Sequence, residues 1–196
     1  LGIDVNTSKY RRTIVFSTTD PYFTQTGISR TLDFYHRTDR PYQFQGGDYR
    51  LVTTGGGLQF GVPFTEVDTV FVGGALEQTQ INAGTNIPAA YLAYADTYGA
   101  TSQSVPLTLG WSRDDRDSAL APSRGRFQRL NSEWSVAGDA RYVRANYQYQ
   151  QYVPLSRRFT IAFNGELGLG KGLNGRPYPV FKHFFSGGLG SVRGFD

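Results

Sequence analysis

The sequence has neither cysteine nor methionine among its 196 residues. Without thiols there is no disulfide framework and no thiolate metal site, which is compatible with an oxidising periplasm. No apolar run approaches the ~20 residues of a spanning helix, so a helical membrane protein is excluded. The chain opens at Leu1 with no basic n-region or apolar h-region, and the missing start suggests a fragment. Histidine is scarce: His36 and His183 lie in separate loop-proximal segments. No Ser-His-Asp order follows that strand pairing would assemble, so nucleophilic catalysis has no support and an enzyme is not expected. Long charge runs are missing too. The net charge is +4, but 20 Lys and Arg are scattered among 16 acids, without the basic stripe of a nucleic-acid binder.

What is present is aromatic and glycine-rich. Hydrophobic residues make up only 39% of the chain, while it holds 13 Tyr, 14 Phe and 24 Gly. That composition, with a mean hydropathy of −0.40, suits short strands that each show lipid one face.

Alternation of period two recurs in nine segments. Residues 1–7 set Leu1, Ile3 and Val5 against Gly2, Asp4 and Asn6; residues 11–18 set Ile14 and Phe16 against Thr13, Val15 and Ser17. Further segments follow at 27–36, 50–62 and 67–78, where Val70, Val72 and Leu76 oppose Thr69, Gly73 and Glu77. The later ones are cleaner: Val105, Leu107, Leu109 and Trp111; Leu130, Trp134 and Val136; Val143, Ala145, Tyr147 and Tyr149; Phe159, Ile161, Phe163, Leu167 and Leu169. Segments of roughly 8 to 13 residues are long for a soluble sheet and close to what crosses a bilayer at a tilt. The polar face carries Arg129, Glu133, Arg144 and Glu166, which a watery lumen accepts and a sandwich core rejects. An antiparallel sandwich with one solvated face is the alternative on pattern alone. Arg30 and Arg50 fall on the apolar face near strand starts, where an interface makes arginine inexpensive.

Every second connection contains proline: residues 19–26, 63–66, 114–124 and 154–157. Proline ends ladder pairing, and this set is assigned to the periplasmic side. The opposite set includes 38–48, the long 79–103 and the segment from Lys171 onward, together with the short 8–10 and 138–140; residues 88–95 (PAAYLAYA) read as a short surface helix. An odd number of strands cannot close a bacterial single-chain barrel, and an open edge in hydrocarbon is costly, so neighbouring strands are expected. The fold class is all-β: a transmembrane antiparallel β-barrel, incomplete.

The most specific segment is the last, Phe185-Ser186-Gly187-Gly188-Leu189-Gly190-Ser191-Val192-Arg193-Gly194-Phe195. It resembles the signature of the BamA superfamily, F-x-G-G-x-x-S-V-R-G-F, at every fixed position. Similar resemblances lie in S-x-T-D-P-Y-F-T-x-x-G-x-S at 17–29, D-R-D-S-A-L-x-P-x-R-G at 115–125 and Y-V-P-L at 152–155. The resemblance covers essentially the whole chain and implies the third to eleventh of sixteen strands. Residues 1–196 would then be part of a single outer-membrane barrel domain, with 171–196 the start of its large extracellular loop. It further implies that this loop folds back into the lumen, with Arg193 paired to a wall carboxylate and Gly194 in a tight hairpin. The expected acids lie beyond Asp196; Glu133 or Glu166 would substitute only if the loop packs against this half of the wall. A guanidinium withdrawn from water requires such a partner in any case.

The function implied is an insertase that folds barrel proteins into the bacterial outer membrane. Its partners would be unfolded outer-membrane β-barrel proteins, outer-membrane lipid and, through POTRA repeats absent here, accessory BAM lipoproteins. No cofactor is implied. A TamA-like assembly factor or a two-partner secretion exporter would share the loop; a diffusive porin needs no such motif, and a barrel-embedded hydrolase lacks its catalytic set here. Residues 165–171 (GELGLGK) imitate a phosphate-binding loop, but Gly172 replaces the magnesium-holding hydroxyl and Asn174-Gly175-Arg176-Pro177 forbids the following helix. Asp114, Asp115 and Asp117 lack EF-hand spacing and read as a solvated turn. The sequon Asn6-Thr7-Ser8 is incidental.

Overall fold

The computed structural model describes residues 2–7, 11–40, 49–82, 84, 87–156 and 158–184. They form a nine-stranded antiparallel meander in which each strand pairs with its sequence neighbour. The strands are β1 (Gly2–Thr7), β2 (Arg11–Asp20), β3 (Ser29–Asp39), β4 (Arg50–Pro63), β5 (Asp68–Asn82), β6 (Thr101–Asp114), β7 (Gly125–Gly138), β8 (Tyr142–Pro154) and β9 (Thr160–Gly172). One helix, α1 (Ala89–Tyr98), lies between β5 and β6, and a 3-10 turn, Val180–Lys182, follows β9. Leu1, Ser8 and the connections 8–10 and 41–48 lie outside the described residues.

The nine alternating segments are the nine strands, and their apolar residues share one face. Ile3 pairs with Phe16, Phe16 with Phe34, and Val72 with Leu109, so the alternating side chains stay in register from strand to strand. These side chains are exposed, Leu76 at 68% and Leu169 at 76%, as a surface turned toward hydrocarbon would be. Arg30, on the same face, lies over the Phe23 ring at 4.3 Å near the 21–28 turn, the strand-end location expected of it.

The register breaks once. Between Val105 and Pro106 the pairing to β7 shifts, with Pro106 opposite Ser135 and Val105 opposite Ala137. A bulge here accommodates a proline that cannot donate to the ladder.

One expectation is corrected. β5 runs to Asn82 and β6 begins at Thr101, so the 79–103 connection shrinks to 83–100. His36 sits within β3, three residues from its end at Asp39, bonded through Nδ1 to the Thr54 hydroxyl at 2.9 Å. The helix expected at 88–95 is present, extended to Tyr98, and it docks inward. Tyr91, Tyr94 and Tyr98 fall on one side at spacings of three and four, and Tyr91 and Tyr94 are buried against Tyr49, Leu51 and Ile81 of the polar face. Burial pushes the Tyr91 and Tyr94 phenols up, so they remain protonated.

Candidate functional site: a lysine clamp on the polar face

Across β3, β4 and β5 the residues Tyr35, Gly55 and Glu77 stand directly opposite one another. A Cβ at Gly55 would lie 2.7 Å from the Tyr35 ring and 2.8 Å from the Leu76 carbonyl. Glycine therefore lets the Tyr35 ring lie flat over β4 and donate its hydroxyl proton to Glu77 at 2.5 Å, two strands away. A parallel arrangement occurs on β7 and β8, where the Tyr142 hydroxyl donates to Glu133. Each carboxylate thus has one phenol donor and room for a second.

The second donor comes from the segment after β9. Asn174 and Gly175 both take positive φ, 56° and 73°, and reverse the chain so that it runs back over the polar face. There it meets the glycines of β9. Cβ atoms at Gly170 and Gly168 would fall 2.5 Å from the Tyr178 ring and 2.9 Å from the Phe184 ring. Gly168 and Gly170, in the stretch that imitates a phosphate-binding loop, are instead a smooth track on which two aromatic rings lie. Tyr178 also meets Tyr142 edge-on at 6.0 Å and stacks on His183 at 5.3 Å. Its hydroxyl, kept protonated because burial raises its pKa, donates to the Lys182 carbonyl at 2.7 Å. Arg144 lies over Phe184 at 4.7 Å, and Phe181 meets Tyr94 of α1 edge-on.

This anchoring delivers Lys182 Nζ between the two carboxylates, 2.6 Å from Glu77 and 3.1 Å from Glu133. Lys182 and Glu77 are each only 13% exposed. The resulting chain is Tyr35, Glu77, Lys182, Glu133, Tyr142: two anions, one cation and two phenol donors, with every carboxylate hydrogen-bonded at least twice. Charges out of bulk water persist only when paired in this way. Chemically the arrangement holds a chain segment in place, since the two carboxylates and the ammonium between them already hold one another. Beside it, a polar recess of about 350 Å³ is lined by residues including Gln59, Thr108, Asn131 and Arg144.

The residues singled out in the sequence, Gly187, Gly188, Val192, Arg193, Gly194 and Phe195, lie outside the described residues. Glu133 holds Lys182 rather than standing free, and Glu166 accepts a bond from Asn146 at 2.5 Å. The root of the loop does pack against this half of the wall, the condition on which those two acids mattered. Lys182 was not anticipated: it is 105 residues from Glu77 and belongs to no motif. The Asp114–Asp117 turn is an ordered ion-paired structure, with Asp114 held by Arg116 at 2.7 Å and Asp115 by Arg126 at 3.0 Å.

Comparison with known proteins agrees with this architecture. The Omp85 superfamily domain matches residues 1–196. The outer membrane protein assembly factor BamA of Neisseria meningitidis serogroup B is 34% identical over 92% of this chain, and the match spans 24% of that protein. A SAM50-like protein of Schizosaccharomyces pombe is 28% identical over 46% of the chain, spanning 20% of its own length. The chain therefore spans about a quarter or less of the curated relatives it matches. The crystal structure of BamA from Haemophilus ducreyi lacking POTRA domains 1–3 superposes with a TM-score of 0.89 at 19% identity, covering 98% of this chain and 39% of that one. That likeness gives the fold, in which an apolar face meets lipid and a polar face lines the lumen. The chain belongs to the Omp85 superfamily and forms part of an integral β-barrel of the bacterial outer membrane.

Proposed function

We propose that the protein carrying this segment is an insertase that assembles β-barrel proteins into the outer membrane. It acts by binding and local membrane perturbation, not bond chemistry, and these strands serve it as the fixed wall to which the large loop is anchored. The observation that carries this reading is the clamp: Lys182, at the root of the loop, is held by carboxylates from β5 and β7. A static wall that seats a loop inside the lumen leaves assembly to the edge strands of the barrel, where an incoming strand could pair by β-augmentation. Its clients would be unfolded outer-membrane barrel proteins. Accessory lipoproteins would reach it through POTRA repeats of the same polypeptide, and Arg193 would be the second fixed point of the loop.

The test is depletion of the full-length protein in its host, with quantification of the outer-membrane barrel proteome against growth. A general fall in barrel proteins with arrested growth supports the insertase. Loss of a single exported or inserted client from a growing cell would reassign the protein as an exporter or a specialised assembly factor.

A further inference from the structure

The lipid-facing side of the sheet has different chemistry at its two ends. On β2, β3 and β4 the outward apolar run ends toward the long connections at Ile14, Phe34 and Val52. One outward step further stand Arg12, Arg50 and, on the strand between them, His36. On β5 the same step after Leu76 is Gln78, and on β9 the step after Leu169 is Lys171. Among the described residues of β1 to β5, the outward face carries no acid at this end. Its two acids, Asp20 and Asp68, are at the opposite end. There Asp20 stands opposite Arg30, and Asp68 accepts bonds from Trp111 at 3.2 Å and Arg113 at 3.2 Å. One rim is charge-matched; the other is cationic. The exposed carboxylate of Asp139, in the β7–β8 turn at the cationic end, is occupied by the Gln103 backbone N–H at 3.0 Å.

Height and spacing fit a headgroup. β5 has 15 residues, so at about 3.3 Å per residue and a tilt of about 40° it rises about 38 Å, about 13 Å more than an apolar band of about 25 Å. The long connections mark this surplus as the extracellular end. Arg12, Thr38 and Val52 share one row across β2, β3 and β4, and Arg50 lies two residues beyond Val52. Their Cα atoms are therefore roughly 12 Å apart, a gap that two arginine side chains can close on one phosphate. Thr38 and His36 lie on the strand between. Neither arginine has an ion-pair partner among the described residues, and both sit immediately above apolar side chains along which acyl chains would run.

We propose that this surface binds the phosphate of an anionic lipid headgroup in the outer leaflet, held by Arg12 and Arg50, with Thr38 and His36 beside it. The inference needs only the outer-membrane location and not the insertase reading.

The experiment uses the full-length protein in nanodiscs of phosphatidylcholine doped with a phosphorylated glycolipid or its dephosphorylated form. Native mass spectrometry counts the lipids retained. The wild type is expected to retain the phosphorylated form preferentially. Retention should fall about fivefold for Arg12→Gln or Arg50→Gln alone and about 25-fold for both, from the usual contribution of one basic residue at an anionic surface. Arg12→Lys/Arg50→Lys should keep most of it, and Arg30→Gln at the opposite rim should change nothing. Equal retention of the two lipid forms by the wild type would overturn the proposal. So would undiminished retention by either folded single variant, or an equal loss with Arg30→Gln.

Discussion

Replacing Lys182 with methionine keeps the length and apolar stem of the side chain and removes its charge. Glu77 and Glu133, 13% and 23% exposed, would then face each other with only the Tyr35 and Tyr142 hydroxyls as donors. Breaking a fully buried pair costs about 3–5 kcal/mol, and the watery lumen reduces this, so a loss of about 1–3 kcal/mol is expected. Adding Glu77→Gln and Glu133→Gln removes the stranded charges and should restore part of that loss. Such non-additivity is expected of side chains in one network. The assay is urea unfolding of the full-length barrel in lipid, followed by heat-modifiable mobility, with limited proteolysis of residues 173–184 as a local readout. Lys182→Met should lower the urea midpoint and expose that segment to cleavage, and the triple variant should recover part of both. Unchanged midpoint and cleavage in Lys182→Met, or strictly additive effects, would refute the clamp.

Three further outcomes are expected. Gly170→Ala places a Cβ 2.5 Å from the Tyr178 ring, which should cost about 1–3 kcal/mol in overpacking and raise proteolysis of the loop root without changing strand content by circular dichroism. Leu109→Arg, on the lipid face at mid-strand, should cost about 2–4 kcal/mol in urea unfolding, while Thr108→Arg on the lumen face should cost much less. Asp117 accepts bonds from the Ser123 hydroxyl and from the backbone N–H groups of Ser123 and Arg124, which hold its carboxyl down to about 2. A depressed folded-state pKa stabilises the turn above the unfolded value and loses that contribution as pH falls through the folded one. Amide protection in 117–124, corrected for the intrinsic pH dependence of exchange, should therefore fall between about pH 4 and pH 2, and Asp117→Asn should flatten the dependence.

The strands were legible because alternation is a property of each segment alone. It failed at the strand ends: on β5 Thr79, Gln80 and Asn82 are polar and the apolar Ile81 lies on the opposite face to the lipid-facing residues, while on β6 Thr101, Ser102 and Gln103 offer no contrast to read. Strand pairing persists there through backbone hydrogen bonds, which leave no mark on composition. The helix was visible at 88–95, but its extension to Tyr98 and its inward docking depend on residues such as Leu51 and Ile81, which belong to strands elsewhere in the chain. The same limit hid the site. Gly55, Gly168 and Gly170 matter for the rings that lie on them, and those contacts join residues far apart in sequence. The loop signature around Arg193 was conspicuous, whereas Lys182 was an ordinary lysine until the sheet brought Glu77 and Glu133 to it.

Reconstitution tests the proposed assembly function without the rest of the cell. The full-length protein in liposomes would be offered a urea-unfolded outer-membrane barrel protein, and the rate of heat-modifiable folding measured against empty liposomes. Client folding should be faster with the wild type than in empty liposomes, and slower with Lys182→Met than with the wild type at equal protein density. Folding no faster than in empty liposomes would contradict the assembly function, and an undiminished rate with a demonstrably loosened Lys182→Met loop would separate the clamp from it.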